Sequence, residues 1–515
     1  MIEDIKIQAL KAPFSKWIVM DKGVHLMPEQ YTPYSKNIRI KNATTTKRKW
    51  YTRVVTASVD WYIDNMISDG DNLFALCDGK LYKVDFNTAM TMTRYTELTF
   101  DDNVSLLRYW KYLFFLSENT AKWYALDTTT WTGSALTITD NAYFRFGEVY
   151  KNCVYLAWWN DYANVLYKSR AWSLESPTNI LDFDWDWSDN LYFKSKIMWL
   201  AAIREQLFVF TEDTIEIISQ WQSGEILTIT SVPIAWSNQP ANPKMVVKAD
   251  DIVFFWTKEN QMKSLNYMQW VTETVVWDVS HRQNLSIVDF IDTLDEDQSD
   301  SFWYYNRNEK TVHWHLKQKW EPMPNIVLVY DVNSDSFFID TNKYFRCEAE
   351  HNNKYYAGSS FGAIIYKDND WPVDDWVAVE RQRKTALLSL WSPDYRKEFR
   401  QVNIYWEKDD DVDIMVTVLV DWQTAFNGTI QASGGGLSWT ASTPVWDSQV
   451  AFETRPWGLK PFEYIITRWN MRARWKNIQI VFSGTSNWDF CLSWIEIGYK
   501  DLYDTKWSDR AKPNK

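Results

Sequence analysis

Residues Asp71–Asp85 read DNLFALCDGKLYKVD, two short apolar runs that flank the dipeptide Asp78-Gly79. In the second run apolar and polar residues alternate, which is the period of a β-strand with one buried face. Asp-Gly between two such runs is typical of a tight hairpin turn, because glycine adopts a positive φ without steric cost. The stretch therefore predicts a β-hairpin whose first strand is almost continuously apolar.

The same hairpin pattern recurs along much of the chain. Its starts lie roughly 40 to 60 residues apart, and a four-stranded propeller blade needs about 40–45 residues. Helical stripes are scarce. We therefore expect an all-β protein in which residues 54–366 form a six- or seven-bladed β-propeller. Further copies of the hairpin begin at Lys111, Asn152, Glu205, Asp250, Glu309 (in a split form) and Asn353.

The segments on either side of the repeat predict four further regions. Residues 1–53 are expected to be an extended N-terminal arm, and the acidic, Pro-containing residues 367–376 a linker. Residues 377–500 contain strand-like runs such as DIMVTVLVDWQ and NIQIVFS, and they predict a β-sandwich. The polar residues 501–515 are expected to form a flexible tail.

The end of the arm carries a basic stretch without acidic residues. Its positive charge predicts a contact with DNA phosphates or with an acidic neighbouring subunit. The alternative is a solvated edge strand that its charges keep soluble. The residues concerned are Lys36, Arg39, Lys41, Lys47, Arg48 and Lys49, followed by Arg53.

Tryptophan is abundant and glycine is scarce, with 33 and 15 copies in 515 residues. Glycine normally makes up about 7% of a protein. Several tryptophans follow Asp or Asn where Asp-Gly or Asn-Gly would mark a turn, and a bulky side chain is disfavoured at a positive φ. We hypothesise that the gene reads UGA as glycine, so that many of these residues are glycine in the native chain. Trp123 and Trp314 lie within strand-like runs and fit genuine tryptophan. The positions in question include Trp61, Trp185, Trp187, Trp371, Trp376, Trp422 and Trp488.

Composition narrows the class of protein. The chain is 46% apolar and 24% charged, which is typical of a globular protein. It has no run of about 18 apolar residues that would predict a membrane span, and its first residues do not resemble a secretory signal. The formal net charge of −12 argues against nucleic-acid binding over the whole surface. A like-charged wall past which DNA slides is compatible with that charge.

One acidic segment predicts a metal site. Aspartates alternate in DFDWDWSDN (residues 182–190), and reading Trp187 as glycine gives DxDxDG, the opening of a calcium loop. Position twelve of the loop is Phe193 rather than the usual acid, so another oxygen ligand would have to complete the site. A plain Asx turn is the alternative. The candidate calcium ligands are Asp182, Asp184, Asp186 and Asp189, with Asn190 as a substitute for the last.

Other signs of chemistry are sparse. His313 and His315 lie two residues apart on a predicted strand, so they share one face as a pair of metal ligands would. The sequence identifies no third ligand, and an ordinary polar strand face is the alternative. There is no P-loop and no HExxH spacing. We therefore predict no enzymatic activity, and no cofactor other than a structural calcium ion.

With tryptophan read as glycine, the order of segments resembles the β-propeller tail proteins of short-tailed phages, called nozzle, head-to-tail stabilisation or tail tubular proteins. The resemblance extends over most of residues 15–425, and the order of its segments carries more information than any one of them. The segments are Met20–Ile40 followed by KRKW, Leu166–Asn179, Ser195–Ile218, Pro233–Phe255, Trp277–Asn284 and Asn325–Phe338.

The resemblance implies a structural virion protein rather than an enzyme. Such proteins form rings of identical subunits below the portal and adaptor, through which the genome leaves the capsid. The expected partners are therefore copies of the same chain, portal or adaptor proteins, other tail proteins and, transiently, DNA. The expected location is the virion, after synthesis in the cytoplasm of a bacterial host. The alternative is a carbohydrate-binding β-propeller in which genuine tryptophans stack on sugars.

Overall fold

The computed structural model describes the chain in segments. They are residues 6–11, 34–41, 44–47, 50–56, 62–86, 91–99, 104–109, 112–117, 123–127, 132–136, 144–151, 153–158, 163–168, 190–204, 206–220, 227–233, 239–266, 276–278, 288–333, 336–369, 381–385, 388, 396–408, 413–420, 423–431, 464–475, 477–484 and 490–502.

In the described part of the chain, five strands precede the repeat. They are β1 (Lys6–Lys11), β2 (Tyr34–Lys36), β3 (Ile38–Lys41), β4 (Thr44–Lys47) and β5 (Trp50–Thr56).

The repeat itself folds as antiparallel meanders, sheets in which consecutive strands pair. Meander 1 contains β6 (Ile63–Ser68), β7 (Leu73–Cys77), β8 (Lys80–Asp85) and β9 (Thr91–Thr99). Meander 2 contains β10 (Val104–Tyr109), β11 (Tyr112–Ser117), β12 (Trp123–Asp127) and β13 (Thr132–Leu136). Meander 3 contains β14 (Phe144–Tyr150), β15 (Cys153–Trp158), β16 (Val165–Lys168) and β17 (Leu191–Tyr192). Meander 4 contains β18 (Ile197–Ile203), β19 (Gln206–Thr211), β20 (Thr214–Gln220) and β21 (Leu227–Pro233).

The remaining meanders follow a 3₁₀ turn at Pro243–Met245. Meander 5 contains β22 (Val246–Ala249), β23 (Ile252–Trp256), β24 (Met262–Asn266) and β25 (Val276–Asp278). After a short helix, α1 (Val288–Ile291), meander 6 contains β26 (Phe302–Asn306), β27 (Thr311–Leu316), β28 (Ile326–Asp331) and β29 (Ser336–Thr341). Meander 7 contains β30 (Phe345–His351), β31 (Lys354–Ser359) and β32 (Ile364–Asn369), and its fourth strand is β5.

The first strands of the meanders contact one another in a closed cycle. Strands β6, β10, β14, β18, β22, β26 and β30 follow in that order, and β30 contacts β6 again. Each neighbouring pair of meanders also shares a cluster of buried apolar side chains. The fold is therefore all-β and propeller-like, as the repeat predicted.

Burial explains the apolar runs of the inner strands. All five residues of β7 are buried, whereas β30 alternates buried and half-buried positions. A strand that is covered on both faces by neighbouring sheets reads as a continuous apolar run, and a strand with one wetter face alternates. Clustered apolar burial of this kind contributes roughly 25 cal/mol for each Å² removed from water. It therefore holds each meander against the next.

Strand β5 closes the cycle with residues from the N-terminal part of the chain. It pairs antiparallel with β32, with Val55 opposite Ile365. Val55 is 1% exposed and packs in a cluster with Ile63 and Ile365. The arm expected at residues 1–53 thus ends inside a strand of meander 7, because β5 supplies the hydrogen bonds and the apolar side chain that the edge of β32 needs.

The C-terminal strands form two sheets. They are β33 (Arg381–Lys384), β34 (Arg396–Lys408), β35 (Asp413–Val420), β36 (Gln423–Gln431), β37 (Tyr464–Trp475), β38 (Ile478–Gly484) and β39 (Phe490–Leu502). One sheet has the order β1-β39-β34-β37. The other continues from meander 6 through β2 in the order β29-β2-β33-β38-β35-β36. The N-terminal segment is thus paired with both C-terminal sheets.

Two expected boundaries shift with these strands. Strand β32 extends to Asn369, so the first residues of the expected linker (367–376) belong to meander 7. Strand β39 extends to Leu502, past the expected start of the tail (501–515). Both strands run on because their partners, β5 and β34, are long enough to pair with the extra residues. The rest of the linker and tail lies outside the described residues.

Asn37 joins the N-terminal segment to meander 6. Its backbone has a φ of 58°, and its amide is completely buried. The side chain donates to Thr341 Oγ1 at 3.1 Å and accepts from Thr341 N at 3.0 Å. Its own N–H donates to Ile339 O at 2.7 Å. Asn is among the residues that adopt a left-handed conformation most readily, so it can turn the chain here while satisfying buried polar groups.

Candidate functional site

The first strands of the meanders surround a cavity of about 510 Å³, which we call the axial cavity. Its charged lining residues are Asp64 on β6, Arg145 on β14, Lys244 in the 3₁₀ turn, Asp300 before β26, and Arg346 and Glu348 on β30. Residues so far apart in sequence meet because every first strand faces the same axis. Phe302, Val104 and Leu106 add apolar surface to the wall.

Arg346 lies at the centre of the charged groups in the axial cavity. Its guanidinium stacks over the Tyr62 ring at 3.8 Å from the ring centroid. One terminal nitrogen lies 4.0 Å from Asp64 Oδ1 and 3.9 Å from Asp300 Oδ1. These distances are at the outer limit of an ion pair. The guanidinium has five N–H donors, so two long contacts leave donor capacity directed at the cavity.

Lys244 is held in place by the turn that carries it. The Asn242 side chain accepts from Lys244 N at 2.6 Å and donates to two carbonyl oxygens, Gln298 O at 2.6 Å and Ser301 O at 3.0 Å. The ammonium enters the axial cavity, where desolvation and the neighbouring Arg346 lower its pKa against the opposing effect of Cys347, Asp64 and Asp300. Lys244 is nevertheless an exposed residue, so solvent reaches it as it reaches an ordinary surface lysine.

A second cavity of about 710 Å³ lies further along the same first strands. Its lining includes Arg108 on β10, Lys248 on β22, Arg307 and Glu350. Lys248 Nζ lies 2.9 Å from both carboxylate oxygens of Glu148, so this cation already has a partner. Trp303 and Glu348 line both cavities, and they separate one from the other.

The histidine pair predicted to share a face converges on a buried carboxylate. His315 Nε2 lies 3.0 Å from Glu348 Oε1, and His313 Nδ1 lies 4.0 Å from Glu348 Oε2. Tyr51 on β5 donates to Glu348 Oε1 at 3.3 Å. Burial opposes ionisation of Glu348, but His315, His313 and Lys343 together outweigh it and hold the pKa of the carboxyl below its ordinary value. The cluster joins β27, β30 and β5, the strands at which meanders 6 and 7 meet.

The predicted calcium loop lies almost entirely outside the described residues. Asp182, Asp184, Asp186 and Asp189 lie outside the described residues, so the calcium loop stays a prediction. In the part of the chain that is described, no group of three or more His, Cys, Asp or Glu side chains is arranged to hold a metal ion. Asn190, the substitute ligand, immediately precedes β17.

The described residues of the basic stretch are distributed over four strands, with Arg53 on β5. Lys36 ends β2, Arg39 and Lys41 lie on β3, and Lys47 ends β4. Strands β3 and β4 pair with each other, with Lys47 opposite Ile38. Lys36 is paired on one side with Ile339 and on the other with Gln382. Arg48 and Lys49 lie outside the described residues. The contact of these residues with DNA or a neighbouring subunit stays a prediction.

One pentapeptide has the spacing of a hydrolase nucleophile but not its setting. Gly358–Gly362 reads GSSFG, which matches G-x-S-x-G. In hydrolases that spacing places serine on a sharp turn from a strand into a helix. Here the segment connects β31 to β32, two antiparallel strands of meander 7, with Gly362 at a φ of 89°. The local fold is that of a hairpin rather than a nucleophile elbow.

Sequence reasoning did not identify the axial cavity or Glu348. The His313–His315 spacing was a local signal, but Glu348 lies on another meander and has no sequence link to it. Asp64, Lys244 and Arg346 are each single charged residues near the start of a strand. Recurrence of charge at the start of successive repeats is the signal that could have indicated them, since first strands line the axis of a propeller.

No known protein family and no curated protein matches the sequence. Among the helical residues that are described, none forms a helix long and apolar enough to cross a membrane. Solved structures with a similar fold include a streptogramin B lyase, with 11% identity over 62% of this chain and 97% of that chain and a TM-score of 0.40. The N-terminal domain of Nup159 has 8% identity over 65% and 98% of the two chains, with a TM-score of 0.41. PorZ of the type-IX secretion system of Porphyromonas gingivalis has 11% identity over 83% and 58%, with a TM-score of 0.38. At these identities the likeness concerns the fold alone.

Proposed function

We propose that the protein is a structural virion protein of a short-tailed phage, a ring-forming tail or connector component through which DNA passes. The observation that carries the proposal is the pairing of the N-terminal segment with three sheets. Strand β1 pairs with β39, β2 with β29 and β33, and β5 with β32. These pairings tie the propeller-like part to the C-terminal strands through backbone hydrogen bonds, as suits a component that carries load.

We further propose that the seven meanders are seven propeller blades and that the two C-terminal sheets pack as a β-sandwich. The closed cycle of first strands and the apolar cluster at each meander boundary support the blade count. Buried side chains on strands of both C-terminal sheets, among them Ile404 and Ile497 on one and Val418 and Ile480 on the other, support the sandwich. Residues that face a shared core in two sheets are the signature of that architecture.

The size of the axial cavity places constraints on where DNA would pass. A volume of about 510 Å³ is that of a small-molecule site and is far too small for a duplex. A conduit would therefore lie on the axis of a ring of subunits rather than along the axis of one propeller. The net charge of −12 suits such a wall, because it repels phosphate instead of retaining it.

The ionisable groups favour a protein without enzymatic activity. A general acid needs a raised carboxyl pKa at neutral pH. The Lys310 side chain lowers the pKa of Asp250, and backbone N–H groups lower the pKa of Asp295 and Asp297. Burial raises the pKa of the Cys77 thiol to about 12, so it is not a nucleophilic thiolate.

Recoding of UGA to glycine has support from one described position. Trp320 has a φ of 73°, and it is the one tryptophan with a positive φ among the described residues. Its side chain is 97% exposed, so no packing compensates for the conformation. Trp314, which fits genuine tryptophan, is completely buried against Phe254 and Trp256. The Asp-Trp and Asn-Trp positions Trp61, Trp185, Trp187, Trp371, Trp376, Trp422 and Trp488 lie outside the described residues.

Peptide mass spectrometry of virions from the source of the gene tests the proposal. We expect peptides of this chain in purified particles at a copy number typical of a ring component. Peptides that contain position 320 should carry glycine where the codon is UGA. Absence of the chain from intact particles would remove the virion role, and tryptophan at UGA codons would remove the recoding hypothesis independently.

A carbohydrate-binding propeller is the second candidate, and one observation favours it. Trp199 and Trp303 line the axial cavity, where indoles are suitable stacking surfaces for sugars. A glycan array with the purified chain distinguishes the two functions. Binding of an oligosaccharide that is lost on replacement of Trp303 would favour this candidate, whereas a structural component should bind none.

A further inference from the structure

We propose that mild acid favours opening of the closed cycle of meanders at one boundary, between meander 7 and meander 1, and that His351 is the group that responds. The inference is separate from the proposed virion role, which requires no change with pH. It follows from three features: the hydrogen bonds of the His351 ring, the charges around that ring, and the different setting of the histidines between meanders 6 and 7.

His351 ends β30 and reaches from meander 7 across to meander 1. The residue is 3% exposed. Its ring stacks on Phe86, which follows β8, with centroids 5.1 Å apart and an interplanar angle of 13°. Its Nδ1 lies 2.9 Å from Ser68 Oγ on β6. These contacts join the last meander of the cycle to the first, so the state of this ring is coupled to closure of the cycle.

The hydrogen bonds of His351 suit the neutral imidazole. Its Nε2 lies 3.0 Å from the side-chain nitrogen of Asn352, which can only donate, so Nε2 accepts and Nδ1–H donates to Ser68 Oγ. A second proton on the ring would turn Nε2 into a donor that faces another donor. Protonation therefore removes a hydrogen bond and places a charge inside a buried boundary, both of which are unfavourable.

The charges near His351 do not offset its burial. Asp69 and Asp71, in the turn after β6, attract a proton to the ring, but desolvation outweighs them and lowers the pKa of His351. Asp69 Oδ1 already accepts from Asp71 N at 2.9 Å and from Asn72 N at 2.6 Å. Tyr356, which also faces the His351 ring, has a raised pKa and is neutral. Because the folded pKa lies below the unfolded value of about 6.5, the contribution of His351 to closure is complete above that pH and is lost as pH falls below it.

The boundary between meanders 6 and 7 holds its histidines differently. There the buried Glu348 lies 3.0 Å from His315 Nε2 and supplies a counter-charge for an imidazolium. That carboxyl stays ionised to a pH below its ordinary range, because its pKa is lowered. Mild acid should therefore leave this boundary closed while it opens the boundary at which His351 lies.

Thiol labelling of the full-length chain tests the proposal, because buried cysteines lie at two different boundaries. Cys77 and Cys347 belong to the apolar cluster between meanders 7 and 1, whereas Cys153 belongs to the cluster between meanders 3 and 4. The rate at which 4,4′-dithiodipyridine modifies each thiol is measured by mass spectrometry at pH 7 and pH 5.5, and the rate for Cys347 is divided by that for Cys153. We expect this ratio to rise about 3- to 10-fold in acid, since one proton changes an opening equilibrium by at most about 10-fold per pH unit.

Variants identify the group responsible. His351→Gln cannot take up the proton, so its ratio should stay constant within about twofold between the two pH values, whatever its level. Asn352→Asp places a carboxylate beside Nε2 and should at least roughly halve the rise, because the imidazolium then gains a charged acceptor. His315→Gln is the matched control and should keep the full rise. A rise that persists in His351→Gln, or a ratio that stays flat in the parent chain because Cys153 responds equally, would overturn the proposal.

Discussion

Trp320 has a left-handed backbone and an almost fully exposed side chain. A substitution at this position therefore changes the backbone strain without a change in packing. A left-handed conformation costs an L-residue roughly 1–2 kcal/mol, and glycine avoids this cost. Glycine also loses more conformational entropy on folding, which offsets roughly 0.5–1 kcal/mol of the gain. We therefore expect Trp320→Gly to stabilise the chain by up to about 1 kcal/mol. Urea unfolding followed by circular dichroism measures the difference.

Trp314→Gly is the matched control for that prediction. Trp314 is completely buried, and loss of a buried aromatic side chain costs about 3–5 kcal/mol, to which glycine adds its own entropic penalty. The two substitutions should therefore have opposite signs. Destabilisation by Trp320→Gly would count against glycine as the native residue at that position.

Glu348 is a single residue whose ionisation makes the free energy of unfolding depend on pH. Its folded pKa lies below the ordinary value because the combined effect of His315, His313 and Lys343 exceeds that of burial. The ionised carboxylate therefore contributes stability that is complete above the unfolded pKa of about 4.3 and is lost as pH falls through the lower folded value. We expect Glu348→Gln to be less stable than the parent by roughly 1–3 kcal/mol at pH 7.

The gap between parent and Glu348→Gln should narrow as pH falls below about 4. Unfolding free energies at several pH values between neutral and acid measure it. Glu350→Gln is the control, because Glu350 lies two residues along the same strand and is half-buried rather than enclosed. A gap that stays constant with pH would mean that the contribution of Glu348 is packing and not charge.

Among the elements, the join between β2 and meander 6 depends on Asn37. Replacement by glycine keeps the positive φ but removes the amide, so buried groups of Thr341 lose their partner at a cost of about 1–3 kcal/mol. Replacement by alanine loses the same hydrogen bonds. It also adds roughly 1–2 kcal/mol of strain, because alanine has a Cβ and the backbone here is left-handed. We expect the order of stability parent, Asn37→Gly, Asn37→Ala in urea unfolding. Equal stability of the two variants would show that the backbone relaxes at this position.

The elements also show which parts of the fold can be predicted from sequence. The hairpin of β7 and β8 follows from local alternation and the Asp78-Gly79 turn, and its strands pair as that pattern requires. The pairing of β5 with β32 could not be predicted, because the two strands are about 300 residues apart. The sequence of each strand does not specify which other strand it pairs with. For the same reason His313 and His315 were visible as a pair, whereas Glu348, on a neighbouring meander, was not.

The axial cavity marks the same limit. Lys244, Asp64 and Arg346 are brought together only when the meanders close into a cycle. The sequence shows only that each of these three residues is charged and lies near the start of a strand. Many surface residues share both properties. Closure of the cycle, rather than any local pattern, creates the site.

For the whole molecule, closure has a mechanical consequence. Every meander is held by an apolar cluster on each side, and β5 adds backbone pairing where the chain returns to its start. The same N-terminal segment continues through β2 into the C-terminal sheet. We expect unfolding of this part of the molecule to be cooperative, since opening one boundary exposes apolar residues on two meanders.

Assembly is the property of the whole molecule on which the proposed function depends. A subunit of a phage connector must associate with copies of itself into a closed ring, since heterologous contacts that close by rotation generate rings. A small-ligand propeller has no such requirement. The oligomeric state therefore separates the structural function from the carbohydrate-binding alternative.

Electron microscopy of the purified full-length chain, synthesised with glycine at the UGA codons, is the most direct test of the structural function. We expect closed rings with a central opening wide enough for duplex DNA, seen in class averages and matched by the mass from light scattering. A chain that stays monomeric at every concentration and binds an oligosaccharide would contradict it.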